Sequence, residues 1–381
     1  MEQAVLGLIG AGYLANAQHL PNLVWAPHAR LKTVCDIREE AAAAAQKKYN
    51  IPHVETDYRK VYADPEIQGV VIVTREDTHA PLTIEALEAG KHVYVEKPLA
   101  DTRENCEKVV AAQEKTGKIV AVGFNRRFSP AYRKAKELLY AHGGPSNVHY
   151  RMADTYSYMW GKDYPPGVRI YHELCHVFDL FRWLTQSEPA SVYCIDSRPD
   201  DEVLAIRMKS GCVCSVMSSG WASIDTPKER MEVVAEKGMV TIEHHVEMRT
   251  YGFPDAQDVY RFKGHAHPDL DFIHRWIYED LGADAMRSFL KHWVRMVWHL
   301  KDRPIDDPAD AAMAKDFAER HPDAVSYHVD KGWLQAMDHF AECIVTGAKP
   351  DTPDARDGLI AQLMGEAAAK SRETGRAVTF E

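Results

Sequence analysis

The chain is poor in the features that would direct it to nucleic acid, to a membrane or to a metal. Basic residues number 46 against 56 acidic ones in 381 positions, a formal net charge of −10, and they are dispersed rather than clustered. A nucleic-acid binder would carry a basic patch, so that class is set aside. A small anionic substrate is not excluded, because a local site can be positive on an acidic protein. No apolar run approaches the roughly 18–20 residues that a membrane span needs. The opening stretch MEQAVLGLIGAGYLANAQHL has no basic start and no small-residue cleavage site, so it does not read as a signal peptide. Cysteine is scarce: seven residues, an odd number scattered along the chain, form no disulfide framework. Cys212 and Cys214 fall on one face of an expected strand and read as packing. His244, His245, His265 and His267 lack the spacing of a metal site, and no metal is expected. A reducing, cytoplasmic setting is the simplest expectation.

What is present is an alternation. Between residue 4 and about residue 142, short apolar runs (AVLGLIG, LKTVCD, GVVIVT, HVYV, IVAVGFN) alternate with helix-like segments such as REEAAAAAQKKY and DTRENCEKVVAAQEKTG. Runs of this length between helices indicate strands covered on both faces, hence a parallel sheet wound right-handedly on both sides. The first turn reads Gly10-Ala11-Gly12-Tyr13-Leu14-Ala15, a G-x-G-x-x-A that follows a strand, opens a helix and is succeeded by Asp36 at the end of the next strand. That context is the dinucleotide fingerprint. Gly10 permits the tight turn, Gly12 lets the backbone approach a pyrophosphate, and Ala15 allows close helix–strand packing. Asp36 would accept hydrogen bonds from the adenine-ribose hydroxyls and repel a 2′-phosphate; Arg38, two residues on, softens that preference. NAD is therefore expected ahead of NADP, with Tyr13, Leu14 and Ile37 lining the same turn.

Ligands of such sheets lie outside the carboxyl ends of the strands. Those ends carry Thr74-Arg75, with His79 close behind, then Glu96-Lys97-Pro98 and Phe124-Asn125-Arg126. Thr74, Arg75, His79, Glu96, Lys97 and Asn125 are accordingly expected at the cofactor. Lys97 is placed to meet a substrate hydroxyl or developing alkoxide, and Pro98 restricts it to an extended conformation. A strand-end lysine is ordinarily a solvated charge; a second cluster argues otherwise here. In VRIYHELCHVFDLFRWL (168–184), read as one helix with the apolar stripe Leu174, Val177, Phe178, Phe181 and Leu184, lie His172, Glu173, His176 and Asp179 near one face. His176, flanked by carboxylates, is a candidate general base. His172 to His176 also reads H-E-x-x-H, but a zinc protease has no use for the intact dinucleotide fold that precedes it.

Together these residues resemble the glucose–fructose oxidoreductase, inositol dehydrogenase and MocA (Gfo/Idh/MocA) family. The resemblance rests on G-x-G-x-x-A, on HAPLTIEALEAGKHVYVEKPLA (79–100), on VGFNRRFSPAYRKAKELL (122–139), on HELCHVFDLFRWL (172–184) and on DGLIAQLMGEAAAKSRETGRAV near the C-terminus. It implies an N-terminal Rossmann domain over 1–124 and an α+β domain over 125–381. The second domain would hold an open, mostly antiparallel sheet, the substrate pocket and a homodimer or homotetramer interface. The alternating runs SVYCIDS, EVLAIRMKSG, CVCSVMSSGW and RMEVVAEKGMVTIEHHVEM agree with such a sheet independently. By the resemblance Lys97 and His176 handle the alcohol proton of a sugar, cyclitol or sugar derivative, with Asn125, Arg126, Tyr156 and His172 as further substrate contacts. One departure is His172, where many relatives carry Asp four residues before the histidine; Glu173 then becomes a candidate in the proton path. Another is the long segment 250–330, in which AMRSFLKHWVRMVWHLK suits an amphipathic helix. Two other readings stay open: glycoside cleavage through transient oxidation and elimination, and a non-catalytic dinucleotide-sensing regulator.

Overall fold

The computed structural model describes residues 2–159, 164–222, 226, 228–262 and 330–380. The helix expected within 285–301 and the histidines at 265 and 267 lie outside them. The chain forms two compact units, neither contiguous in sequence: one comprises Met1–Phe128, Tyr171–Leu180 and Gly332–Glu366, the other Ser129–Ile170, Phe181–Lys331 and Ala367–Glu381.

The first unit is built on a parallel sheet of β1 (Ala4–Ile9), β2 (Ala29–Cys35), β3 (His53–Glu55), β4 (Gly69–Ile72), β5 (His92–Val95) and β6 (Val120–Val122), in the order β3-β2-β1-β4-β5-β6. The doubly wound parallel sheet expected from the sequence is thus observed. Every residue of β4 and β6 is buried, as the unbroken apolar runs require. Strand β3 was not expected; it is three half-exposed edge residues with no apolar run to announce it. The helix Arg103–Thr116 starts at a Thr102 cap that accepts the Asn105 N–H and stops at Gly117 in the left-handed region. Ala336, Met337, Phe340 and Ala341 of the helix Trp333–Thr346 join the core with Leu6, Leu8, Val71 and Tyr94.

The second unit holds a nine-stranded sheet of β7 (Pro145–Ala153), β8 (Pro189–Arg198), β9 (Asp201–Met208), β10 (Val213–Ser219), β11 (Glu229–Ala235), β12 (Gly238–Glu243), β13 (Glu247–Tyr251), β14 (Val259–Arg261) and β15 (Val378–Thr379). Its order is β14-β13-β12-β11-β7-β10-β9-β8-β15, antiparallel throughout except between β7 and β10. Strict alternation of burial along β9 gives one covered face and one open face. All seven cysteines are free and buried. Among the described residues no helix is long and apolar enough to cross a membrane.

Candidate active site

The turn after β1 is shaped for close approach. Gly10 has φ +95°, and a Cβ there would stand 2.3 Å from the Val73 carbonyl oxygen, so only glycine fits. A Cβ on Gly12 would meet nothing within 4 Å, which leaves room beside the backbone. The Asn16 side chain bolts the turn by donating to the carbonyls of Ala11 (2.9 Å) and Gly12 (3.0 Å). Asp36, nearly buried, takes the Ala11 N–H on one carboxylate oxygen (2.8 Å) and the Arg38 N–H on the other (2.9 Å). A carboxylate offers about four lone-pair sites, so these bonds orient it and still leave acceptor capacity for a ribose hydroxyl. Ile37 and Tyr13 stand 89% and 64% exposed beside it, an unusual display of apolar surface at a strand end, while Leu14 packs back on the core. The Arg38 guanidinium, 3.4 Å from Asp36, is mostly solvated. Turn, carboxylate and exposed apolar side chains fit a dinucleotide.

At the ends of β4 and β5 the side chains interlock. Glu96 is fully buried; one oxygen accepts the Lys97 N–H (3.0 Å) and the other meets His19 Nε2 (2.9 Å). Burial alone would raise the Glu96 carboxyl, but the His19 contact and the Lys97 charge outweigh it and hold the carboxyl below its ordinary range. Gly123 makes room, since a Cβ there would lie 2.8 Å from the carboxylate. The His19 ring is held edge-on by Trp333 and Tyr94. The Lys97–Pro98 peptide is cis. The Pro98 carbonyl faces His79 Nδ1 at 2.7 Å, and the Thr74 carbonyl lies 3.2 Å from His79 Nε2. Burial pushes the His79 pKa down, against the pull of the two carbonyl contacts. Both ring nitrogens of His79 thus face main-chain carbonyls. Thr74 accepts from Thr78, and Arg75 is exposed beside Asp77.

The Lys97 ammonium donates to the carbonyl of His172 at 2.7 Å. This contact explains a departure from the expected helix over 168–184, which is broken at Glu173 into Arg169–His172 and Leu174–Thr185. In a continuous helix the His172 carbonyl would accept the His176 N–H. Here it accepts Lys97 Nζ and the Cys175 thiol (3.4 Å), and the His176 N–H turns to the Glu173 carbonyl at 3.3 Å. The His176 ring, 4% exposed, packs edge-on against Phe124 at the end of β6, with centroids 5.9 Å apart. The His172 ring reaches Glu76 Oε1 at 3.3 Å, and this hydrogen bond is the main reason that the Glu76 carboxyl is held down to about 2.

The structure thus brings Lys97, His172 and the His176-bearing helix to the ends of β5 and β6, with Asn125 and Arg126 buried in the tight turn Asn125–Phe128. Tyr156 lies in the other unit, buried, its N–H on Asp154. Asp179, one helical turn from the histidine, meets Arg127: the guanidinium donates from Nε at 2.8 Å and from Nη2 to the second oxygen, and Nη2 also pairs with Asp357 at 3.1 Å. Burial opposes the Arg127 charge, but the two carboxylates outweigh it and raise its pKa. Neither Glu76 nor Arg127 was singled out by sequence; a second arginine after Arg126, with an acid three residues beyond His176, was the only hint. Among the described residues no group of His, Cys, Asp and Glu is arranged to hold a metal ion.

Two family profiles match the chain: one described as oxidoreductase family, NAD-binding Rossmann fold, over residues 5–124, the other as oxidoreductase family, C-terminal alpha/beta domain, over residues 136–380. An uncharacterized oxidoreductase of Bacillus subtilis, YrbE, is 26% identical over 390 residues, covering 100% of this chain and 97% of that protein. Inositol 2-dehydrogenase of Salmonella typhimurium is 27% identical over 380 residues, covering 99% of this chain and 95% of that protein. The crystal structure of scyllo-inositol dehydrogenase from Lactobacillus casei, with bound cofactor NAD(H) and scyllo-inositol, shares the fold with a TM-score of 0.71 at 18% identity and covers 99% of each chain.

Proposed function

Because the chain belongs to the Gfo/Idh/MocA family of oxidoreductases, with its NAD-binding Rossmann fold, we propose that it interconverts a ring carbinol and the matching ketone on a cyclitol or related sugar. The single observation carrying this reading is the Lys97 ammonium, fixed at the carboxyl end of β5 by its bond to the His172 carbonyl. Nicotinamide, when bound, supplies the hydride acceptor or donor. Lys97 then donates to the substrate oxygen and stabilises the charge that develops there. His176 takes the hydroxyl proton on its imidazole, and Glu173, three residues before it in the turn between the two helices, is the acid to relay it. Substrates named for relatives, inositols among them, give the first class to test. Purified protein with excess NAD is offered cyclitols, free sugars, sugar acids and glycosides in single turnover, and reduced-nicotinamide absorbance is followed. Signal from a cyclitol or sugar supports the reading; silence throughout, with NAD bound, sinks it.

We assign the cofactor as NAD rather than NADP on Asp36. Asp36→Asn keeps an acceptor for the Ala11 N–H and removes the charge. It is expected to lose roughly tenfold to a hundredfold in NAD affinity, the equivalent of a hydrogen bond to a charged group, and to bind NADP more tightly than the parent. Titration of both cofactors checks this. The open face of the second sheet presents Tyr193, Ile195, Val203, Val213 and Met217, with Ile195, Val203 and Met217 in register across three strands. Apolar area of that kind marks an interface, so a homodimer or homotetramer is expected by light scattering, and Val203→Lys is expected to shift it toward monomer.

A further inference from the structure

The acceptor that fixes the catalytic lysine stands at a break in the helix, before Glu173. His172 ends a helix of four residues. Its terminal carbonyl is available because helix-end carbonyls lack intrahelical partners, yet availability does not fix its position. Besides the Cys175 thiol, a tie to this residue comes through the His172 ring, whose Nε2 lies 3.3 Å from Glu76 Oε1. Glu76 stands on the first turn of the 13-residue helix Glu76–Glu88. One turn on, the same helix carries His79, which holds the carbonyl of Pro98, the residue next to Lys97. A single helical turn therefore grips the lysine at two points: its backbone through His79 and Pro98, and its ammonium through Glu76 and His172.

We propose that Glu76 is a positioning residue for Lys97, acting through His172. Its catalytic consequence rests on the function proposed above; the geometry it sets does not. In this chain His172 contributes its carbonyl to the lysine and its ring to Glu76, so the residue at 172 works as a strut rather than as an acid in the proton path.

The test separates these two layers. The NAD-bound enzyme is pulse-labelled with acetic anhydride, and acetylation at Lys97 is read by mass spectrometry. Glu76→Gln and His172→Asn are each expected to raise the labelling rate at Lys97 severalfold and leave other lysines unchanged. Asp77→Asn, which removes a neighbouring acid from the same helical turn without touching His172, is expected to leave Lys97 at the parent rate. On a turned-over substrate, Glu76→Gln is expected to lower kcat on the order of tenfold to a hundredfold, the effect of a misplaced reacting group, with the KM for NAD unchanged; Glu76→Asp should recover part of it. Unchanged labelling of Lys97 in Glu76→Gln, or an equal rise in Asp77→Asn, overturns the proposal. If no substrate is turned over, the labelling still decides it.

Discussion

Lys97→Met is expected to lower turnover on the order of 10²- to 10⁴-fold, the range for losing a positioned proton donor, while NAD affinity stays close to that of the parent. Methionine keeps most of the apolar stem and removes the ammonium, so packing changes little. The tie that holds the strand end also survives, since Glu96 accepts the backbone N–H of residue 97 and not its side chain. The dinucleotide turn depends on Gly10, Gly12 and Asp36, none of which touches the lysine side chain in the bonds described. Loss should therefore fall on kcat rather than on cofactor binding, because an interaction made chiefly in the transition state is what disappears. Stopped-flow absorbance with the best substrate of the scan, alongside NAD titration, measures both. A variant that bound NAD normally and turned over within a factor of about three of the parent would leave Lys97 no place in the chemistry, since general acid–base groups contribute far more.

Much of this site was legible because its signals are local. The glycine turn, the acid at the end of β2 and the Glu96-Lys97-Pro98 run are each defined by a few adjacent residues, and the parallel sheet that presents them is written in buried apolar runs. What the sequence did not show depends on contacts that only the fold makes. Periodicity predicts a continuous helix through Glu173, and nothing within 168–184 shows that Lys97, 75 residues upstream, captures the carbonyl that would continue it. Asp179 sits one turn from His176; its pairing with Arg127, 52 residues away, depends on how the end of β6 meets that helix. His79 reads as a ligand contact because it lies at a strand end, and only the fold shows that both its nitrogens face carbonyls. In the second sheet, alternation along each strand is plain in sequence, whereas the parallel pairing of β7 with β10 is a matter of topology that alternation does not encode.

Arg127→Leu is expected to be the most destabilising of the changes considered. Arg127 and Asp179 are 9% and 1% exposed, so removal of the guanidinium takes a two-pronged ion pair from a carboxylate that water hardly reaches. Breaking a buried pair in this way costs about 3–5 kcal/mol, a large fraction of the stability of a typical domain. Asp357 is less at risk, because at 19% exposure it is partly hydrated, and it also accepts the Asp354 N–H. The cost should therefore trace to Asp179, and the double variant Arg127→Leu/Asp179→Leu tests that attribution. If the loss of this ion pair is what matters, the second substitution restores most of the stability, since apolar replacement of a whole buried pair is often neutral or better; chemical denaturation of the four proteins in a double-mutant cycle gives the coupling. Restored stability need not restore turnover. Asp179 lies on the helix that carries His176, and a leucine pair would pack that helix without the two-pronged hydrogen bond that sets its rotation. A double variant as stable as the parent yet slower in kcat, with NAD binding intact, would show that the ion pair serves aim more than stability.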